Sequence, residues 1–460
     1  MQNTRVEHDA LGSIEVSVDR LWGAQTQRSL ENFPIGRHRM PLPIVAALTL
    51  IKKAAALENA ARGALDPHLA EGIQRACDEI LDGRHDDEFP LSVWQTGSGT
   101  HTNMNVNEVI ANRASEILGG QRGHKAPIHP NDHVNLAQSS NDVFSAAIYM
   151  AATVQIEARL LPALHALEQA FERHAQAWQG VVKIGRTHGQ DATPLTAGQE
   201  ASGWAAQLGS MREEVARAAR LLRRLAIGGT AVGTGQNAPA GWGESMALRL
   251  STFTGLTFTS APNKFEALSS HDGFVSVSGA LSGVAAALTK IGNDLRLLAS
   301  GPRCGLQELA LPANEPGSSI MPGKVNPSQI EALLMVCARV AGNHTTIFIA
   351  AASGSLQLNV AKPVLAYALL ESCDLLADAA TSFRLRCVDG LALQETRIAE
   401  HLERSLMLAT ALSPEIGYDK AAALAQRALA EGITLREAVQ RTGALALERF
   451  DELVRPSRMI

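Results

Sequence analysis

Residues 340–361 read VAGNHTTIFIAAASGSLQLNVA and residues 273–289 read GFVSVSGALSGVAAALT, with no Asp, Glu, Lys or Arg in either run. Stretches of this kind raise the question of a membrane span, which needs about 20 mainly apolar residues. The later run carries Asn343, His344, Thr345, Thr346, Ser353, Ser355, Gln357 and Asn359, and the earlier one carries three serines. Both are therefore read as helices surrounded by protein, at the centre of a bundle or at a subunit interface, because a helix without charge on any face has no side to turn to water.

The surrounding sequence supports a bundle. Residues 143–177, punctuated only by Pro162, alternate apolar and charged positions at spacings of three and four, the pattern of a long amphipathic helix. Similar readings hold for 195–225, 273–299, 327–350 and 364–387, each too long for a strand and too rich in Ala and Leu for a loop. Ala-rich helices are expected at 44–62 and 68–81, ending at HDDEFP, whereas the segment up to residue 33 reads as turn-like and extended. Beyond residue 393 the composition turns charged, with shorter helices expected at 398–410, 418–431 and 434–449 as a small C-terminal domain. The fold class is mainly α.

A chain of 460 residues exceeds one small core, so two or three domains are expected. Its net charge of −5 is spread over interspersed signs with no basic run, which argues against a nucleic-acid partner and for a small soluble one. The hydrophobic share is 46% but the aromatic share only 4%, which suits close packing of Ala, Leu, Val and Ile helices better than an aromatic-rich β architecture. Cys77, Cys304, Cys337, Cys373 and Cys387 are far apart and form no CxxC pair, so they read as reduced thiols in a cytoplasmic protein, with no metal or iron–sulfur centre. The polar N-terminus lacks the apolar core of a signal peptide.

Three loops place small hydroxyl and amide residues beside glycine, just ahead of an expected helix: Gly97-Ser98-Gly99-Thr100, Gln138-Ser139-Ser140-Asn141, and Gly317-Ser318-Ser319 running on to Pro327. Helix capping accounts for such residues whatever the function. The alternative is that hydroxyls and free N–H groups at helix starts make anion sites, and that together they hold both carboxylates of a small diacid, with Lys324 adding a fixed positive charge. The third loop is not a phosphate-binding P-loop, since five residues separate Gly317 from Gly323 and Val325 stands where Ser or Thr would bind magnesium. A fourth polar loop, Gly185-Arg186-Thr187-His188, precedes a helix that Pro194 is expected to open. Glu331 lies in the first turns of a nearly charge-free helix, where a buried carboxylate would want a partner such as His188.

GSGTHTNMN (97–105), HPND (129–132), QSSND (138–142), GRTHGQDATP (185–194) and above all GSSIMPGKVNP (317–327) resemble the class II fumarase pattern, within the superfamily that includes aspartase and argininosuccinate lyase. The resemblance runs from LWGAQTQRS (21–29) to SLMLATAL (405–412) and IGYDKAA (416–422), nearly the whole chain. It implies a three-domain subunit, here 1–137, the central helical bundle 138–393 and 394–460, and a homotetramer whose active sites are shared between subunits. It implies reversible hydration of fumarate to (S)-malate through an aci-carboxylate, with no redox cofactor and no metal.

By the same resemblance, Ser318 is the base and His188, oriented by Glu331, protonates the departing hydroxyl. Lys324, Asn326 and backbone N–H groups of 317–319 receive the developing charge. Ser98, Gly99, Thr100, Ser139, Ser140, Asn141 and Thr187 bind substrate, with Ser319 and Val325 beside the base and Lys324. His129, Pro130, Asn131 and Asp132 match a second dicarboxylate site, for which a capped loop is an equal explanation. The chain departs from the pattern at Gly189 and Ala197, where the family usually has Leu, at Leu136-Ala137 in place of Lys-Ser, and at APAGWGE after GTGQN. An aspartase-type ammonia-lyase is the nearest alternative, but its pattern resembles GSSIMPAKVNP and QSTND, whereas this chain has Gly323 and Ser140. A non-catalytic relative would be marked by loss of Ser318, His188 or Lys324, and all are present.

Overall fold

A computed structural model describes residues 3–460. The chain is mainly α, with short two-stranded sheets and two isolated bridges, Arg39 with Ser92 and Ser355 with Leu358, as the β structure of the described residues. It divides into two compact units: residues up to 161 with 213–283 and 338–376, and residues 162–212 with 284–337 and 377–460.

In the first unit the helix Leu42–Ala61 carries Pro43 in its first turn, where a missing N–H costs nothing, and buries Ile44, Leu48, Ile51 and Ala55. It packs with Pro67–Leu81 and Ser140–Gln155, and Thr100–Ile117 joins the same core. The opening segment is not extended throughout. A hairpin, Thr4–Asp9 with Gly12–Ser17, is followed by the helix Ala24–Asn32. That helix starts where it does because the buried Glu108 carboxylate accepts the N–H groups of Gly23, Gln25 and Thr26, a cap supplied from 82 or more residues away that no local reading detects.

The expected 143–177 helix comprises Ser140–Gln155, a π turn at Ile156–Leu160 and Leu161–Ala177. The wider turn sits directly before Pro162, whose ring and missing N–H disrupt an ordinary α ladder there. In the second unit, the helix expected from 195 instead starts at Ala197, and Pro194 lies in a strand: Val182–Thr187 pairs antiparallel with Gln190–Thr196. At the C-terminal end the expected 398–410 helix is Glu395–Arg404 followed by a 3-10 segment. The 434–449 helix breaks at Gly443 (φ 64°) into Leu435–Thr442 and Leu447–Leu453.

The two apolar helices differ in surroundings. Of the most apolar eighteen-residue stretch, 56% is buried in Asp272–Leu298 but only 28% in Ser328–Ala352. The second helix leaves Met335, Ala338, Gly342, Thr345 and Ile349 exposed, at alternating spacings of three and four.

Candidate active site

Within the first unit, two of the hydroxyl-bearing loops are held by close backbone packing. Gly97 lies so near the chain after the Ser328–Ala352 helix that a Cβ would fall 1.4 Å from the Val360 carbonyl oxygen, and a Cβ on Gly99 (φ 78°) would fall 2.3 Å from the Phe144 ring. Only glycine fits at either place. Ser98 Oγ and Thr100 Oγ1 are hydrogen-bonded at 2.8 Å. The N-cap of the helix Thr100–Ile117 is Gly99, which has no side chain, and its first turn is held instead by Ser98 Oγ, which accepts the Thr100 N–H at 3.4 Å, and by Gln95 Oε1, which accepts the Thr102 N–H at 3.0 Å.

Capping does account for Ser139, whose Oγ accepts the Asn141 N–H while the buried Asp142 carboxylate accepts the Ser139 N–H, a reciprocal box. Ser140 Oγ accepts from Asn103 Nδ2 at 2.9 Å, and Asn141 Nδ2 donates to the Ala231 carbonyl at 2.8 Å. Asp142 also accepts the Gly228 N–H, which ties the glycine-rich 228–243 segment to the same helix start. Burial pushes the Asp142 carboxyl pKa up, against the N–H groups it accepts and the nearby Lys52.

The second unit carries the remaining groups. His188 and Gly189 form the two-residue tip of the hairpin, with φ of 55° and 74°, between the paired Thr187 and Gln190. Two consecutive positive φ values define a type I′ turn, the tight connection that matches strand twist, and glycine is the residue best suited to the second of them. The Gly189 departure therefore has a local structural reason. Thr187 and His188 are exposed at this tip. Below it the hairpin is anchored by ion pairs: Arg186 Nη2 to Glu308 Oε1 at 2.6 Å, and the buried Lys183 Nζ to Glu308 Oε2 at 2.9 Å and Glu200 Oε2 at 2.6 Å.

The 317–326 loop is closed on itself. Gly317 N–H donates to the Lys324 carbonyl at 2.7 Å and Asn326 Nδ2 to the Gly317 carbonyl at 2.6 Å. Inside it Ser318 Oγ accepts two backbone N–H groups, from Ile320 at 3.2 Å and Met321 at 3.0 Å. Hydrogen bonds donated to an oxygen favour its deprotonated form. Ser319, Lys324 and Val325 are exposed, and Lys324, Val325 and Asn326 line a cavity of about 530 Å³ together with Arg296, Ser300 and Gln307.

Glu331 departs from expectation. It occupies the first turn of Ser328–Ala352, but it is exposed, and no hydrogen bond or ion pair joins it to His188 among the described residues. A residue one turn in from the start points to solvent here because the buried stripe runs through Ile330, Leu333 and Cys337.

The 129–132 segment forms the start of a π turn, Pro130–Val134. His129 Nδ1 accepts the N–H groups of Asn131 and Asp132 at 3.2 and 3.1 Å, and the His129 N–H donates to His133 Nδ1 at 2.9 Å. Burial lowers the His129 pKa, against the pull of Asp132, the direction that favours a free Nδ1 lone pair for this cap. Among the described residues no cluster of three or more His, Cys, Asp or Glu side chains is placed to hold a metal ion.

The sequence reading missed the buried groups behind the first-unit loops, Lys52 and Lys362 among them. A signal was available for Lys52: it shares the helix stripe of Leu48, Ala55 and Asn59, at core-facing spacing.

Two family profiles match the chain, one described as lyase over residues 12–342 and one as fumarase C C-terminus over residues 408–460. A fumarate hydratase class II of Myxococcus xanthus is 56% identical over 458 residues, covering 100% of this chain and 98% of that protein. One of Chromobacterium violaceum is 56% identical over 459 residues, covering 100% of both. The crystal structure of class II fumarase from Schistosoma mansoni superposes with a TM-score of 0.96 at 46% identity, covering 99% of each chain. With full-length identity of this order, and with the serine loop, the hairpin histidine and both hydroxyl-bearing loops present, the chain belongs to the class II fumarate hydratase family of the fumarase and aspartase superfamily.

Proposed function

We propose that the protein is a hydro-lyase that interconverts fumarate and (S)-malate, as in the tricarboxylic acid cycle, and that Ser318 is its base. The observation that carries this reading is the pair of N–H groups donated to Ser318 Oγ, because a serine hydroxyl removes a carbon-bound proton only if its alkoxide is stabilised.

In the dehydration of malate the Ser318 alkoxide takes the C3 proton, and the electron pair of that bond moves into the adjacent carboxylate as an aci-form dianion. Lys324 and the backbone N–H groups of Ser318 and Ser319 receive that developing charge, the Gly317 N–H being taken by the Lys324 carbonyl, and stabilising it is the main catalytic task. The pair then returns to form the C2–C3 double bond as the C2–O bond breaks, and His188 protonates the leaving hydroxide so that water departs. Oxidation state is unchanged over the cycle, so no electron carrier is required. Ser98, Thr100, Ser139, Ser140, Asn141 and Thr187 hold the substrate carboxylates in this reading.

We read the assembly as a homotetramer with sites shared between copies, formed by the 138–393 helical layer with 1–137 and 394–460 flanking it. Support comes from the exposed stripe Met335, Ala338, Gly342, Thr345 and Ile349, which has the seam spacing of packed helices, and from the exposure of His188, Lys324 and Glu331 on a single chain. Glu331 then meets the histidine of another copy. The reduced thiols, four of them buried, fit a cytoplasmic location.

The test is loss of the conjugated absorbance of fumarate on mixing with purified protein, with parallel samples containing ammonia or chelator. Loss in fumarate alone, untouched by chelator, is the expected result. Loss only with ammonia makes the protein an aspartase-type lyase, and no loss in any sample refutes both.

A further inference from the structure

Two lysines of the first unit are fully buried directly behind the loops read as substrate-binding. Lys52, on Leu42–Ala61, and Lys362, at the start of Lys362–Arg386, are both 0% exposed, and neither forms an ion pair within hydrogen-bond distance among the described residues. Lys52 Nζ donates to Asn135 Oδ1 at 2.8 Å and Gln138 Oε1 at 2.9 Å. Asn103 Nδ2 continues the chain, donating to Asn135 Oδ1 at 3.2 Å and to Ser140 Oγ at 2.9 Å. Lys362 spans the two loops: its backbone N–H donates to the Gly97 carbonyl at 3.0 Å and its ammonium to the Asn141 carbonyl at 3.1 Å. Asp142, also 0% exposed, is the carboxylate whose field both lysines share.

Burying two ammonium groups costs free energy that a core serving only the fold has no reason to spend, since Met or Leu fills the same volume without desolvation. Two cations and one carboxylate leave one net positive charge when all three are ionised. Burial lowers both lysines to about 7, against the opposing pull of Asp142, so neutral pH lies at the edge of their charged state. An anion arriving at the loops favours that state.

We propose that Lys52 and Lys362 are positioning residues for the dicarboxylate: they fix the 97–100 and 139–141 loops relative to one another and place net positive charge behind them. This rests on the reading that these loops hold substrate carboxylates.

Lys52→Met and Lys362→Met conserve length and remove the charge. The expected result for each is an unchanged helical circular dichroism spectrum, a melting temperature no lower than wild type, and a KM for fumarate raised on the order of tenfold with kcat within about threefold. Succinate, an unreactive dicarboxylate, should lose affinity by the same factor in titration calorimetry. If either variant fails to fold, Asn135→Leu removes one of the two acceptors of Lys52 and its link through Asn103 to Ser140, with both lysines in place, and should raise KM in the same direction. Folded variants at wild-type KM and succinate affinity, or a lowered melting temperature with KM unmoved, overturn the proposal. A wild type that neither consumes fumarate nor binds succinate overturns the hydratase reading first, and this one with it.

Discussion

Replacing Glu308 by glutamine tests whether the hairpin carrying His188 is anchored electrostatically. Glu308 is 1% exposed and meets Arg186 Nη2 at 2.6 Å, Lys183 Nζ at 2.9 Å and His401 Nδ1 at 3.0 Å. Burial alone raises the carboxyl pKa, but Arg186, Lys183 and His401 outweigh it and take the group from 4.5 down to about 2. That difference of about 2.5, at about 1.4 kcal/mol per pKa unit, corresponds to roughly 3 kcal/mol of stability. Breaking one side of a buried ion cluster falls in the same range. Because the folded-state pKa is depressed, the contribution is fully present above pH 4.5 and is lost as pH falls from there towards 2. Glu308→Gln should therefore lower the urea midpoint at pH 7 by about 1 M, for an m-value of about 3 kcal/mol/M. The gap to wild type should shrink to less than half near pH 3, and kcat should fall because Arg186 is two residues from His188. Urea melts of both proteins at the two pH values decide it. A variant that melts with wild type at pH 7, or a gap that is the same at both pH values, refutes the argument.

Ser318→Ala should abolish turnover, by about 10³-fold or more, with circular dichroism unchanged; near wild-type activity removes Ser318 from the role of base. Gly189→Ala should cost about 1 kcal/mol, a fall in melting temperature of roughly 1 °C for a chain of 460 residues, since φ is 74° and no atom lies within 4 Å of the added Cβ, leaving backbone strain as the whole effect. Gly189→Asn, which tolerates that conformation, should lose less than the alanine variant, and the reverse order in thermal melts counts against the turn. Gly342→Glu puts a charge in the middle of the exposed stripe, and sedimentation should show smaller assemblies with activity lost in parallel; full activity in a monomer rules out shared sites.

The long helices were legible because their signals are local. The expected 44–62, 68–81 and 364–387 are found as Leu42–Ala61, Pro67–Leu81 and Lys362–Arg386, each opened by a proline at the first or second position. The hairpin at His188 was not legible while Pro194 was read as a helix opener, although a strand tolerates proline where its N–H is not needed by the ladder. Helix Ala24–Asn32 was missed because its cap comes from Glu108 in a distant helix. Of the candidate site, the 97–100, 138–141 and 317–327 loops stand out in the sequence as small polar residues beside glycine, whereas the role proposed for Ser318 rests on the family resemblance. The burial of Lys52, Lys362 and Glu308 was not legible, since charged residues are placed in solvent by default and only tertiary partners reverse that.

The site's two kinds of charge are handled in opposite ways, and the difference follows from what each must do. Lys52, Asp142 and Lys362 never need to move: they sit in the core, where a low dielectric lengthens the reach of a fixed charge. His188 and Lys324 stand on a hairpin tip and a surface loop and both are exposed, which suits the proposed roles of meeting a substrate that enters and leaves. An exposed charge in water is screened within about 10 Å at ordinary ionic strength and stabilises an aci-carboxylate poorly. In the proposed mechanism, groups that both admit the substrate and act strongly on it need cover from water, which is the physical reason for the shared site proposed above. In the homotetramer proposed above, the exposed stripe on Ser328–Ala352, the helix that begins directly after the serine loop, is the surface that packs against another copy beside that loop, and the removal of water there strengthens Lys324 at the moment charge develops.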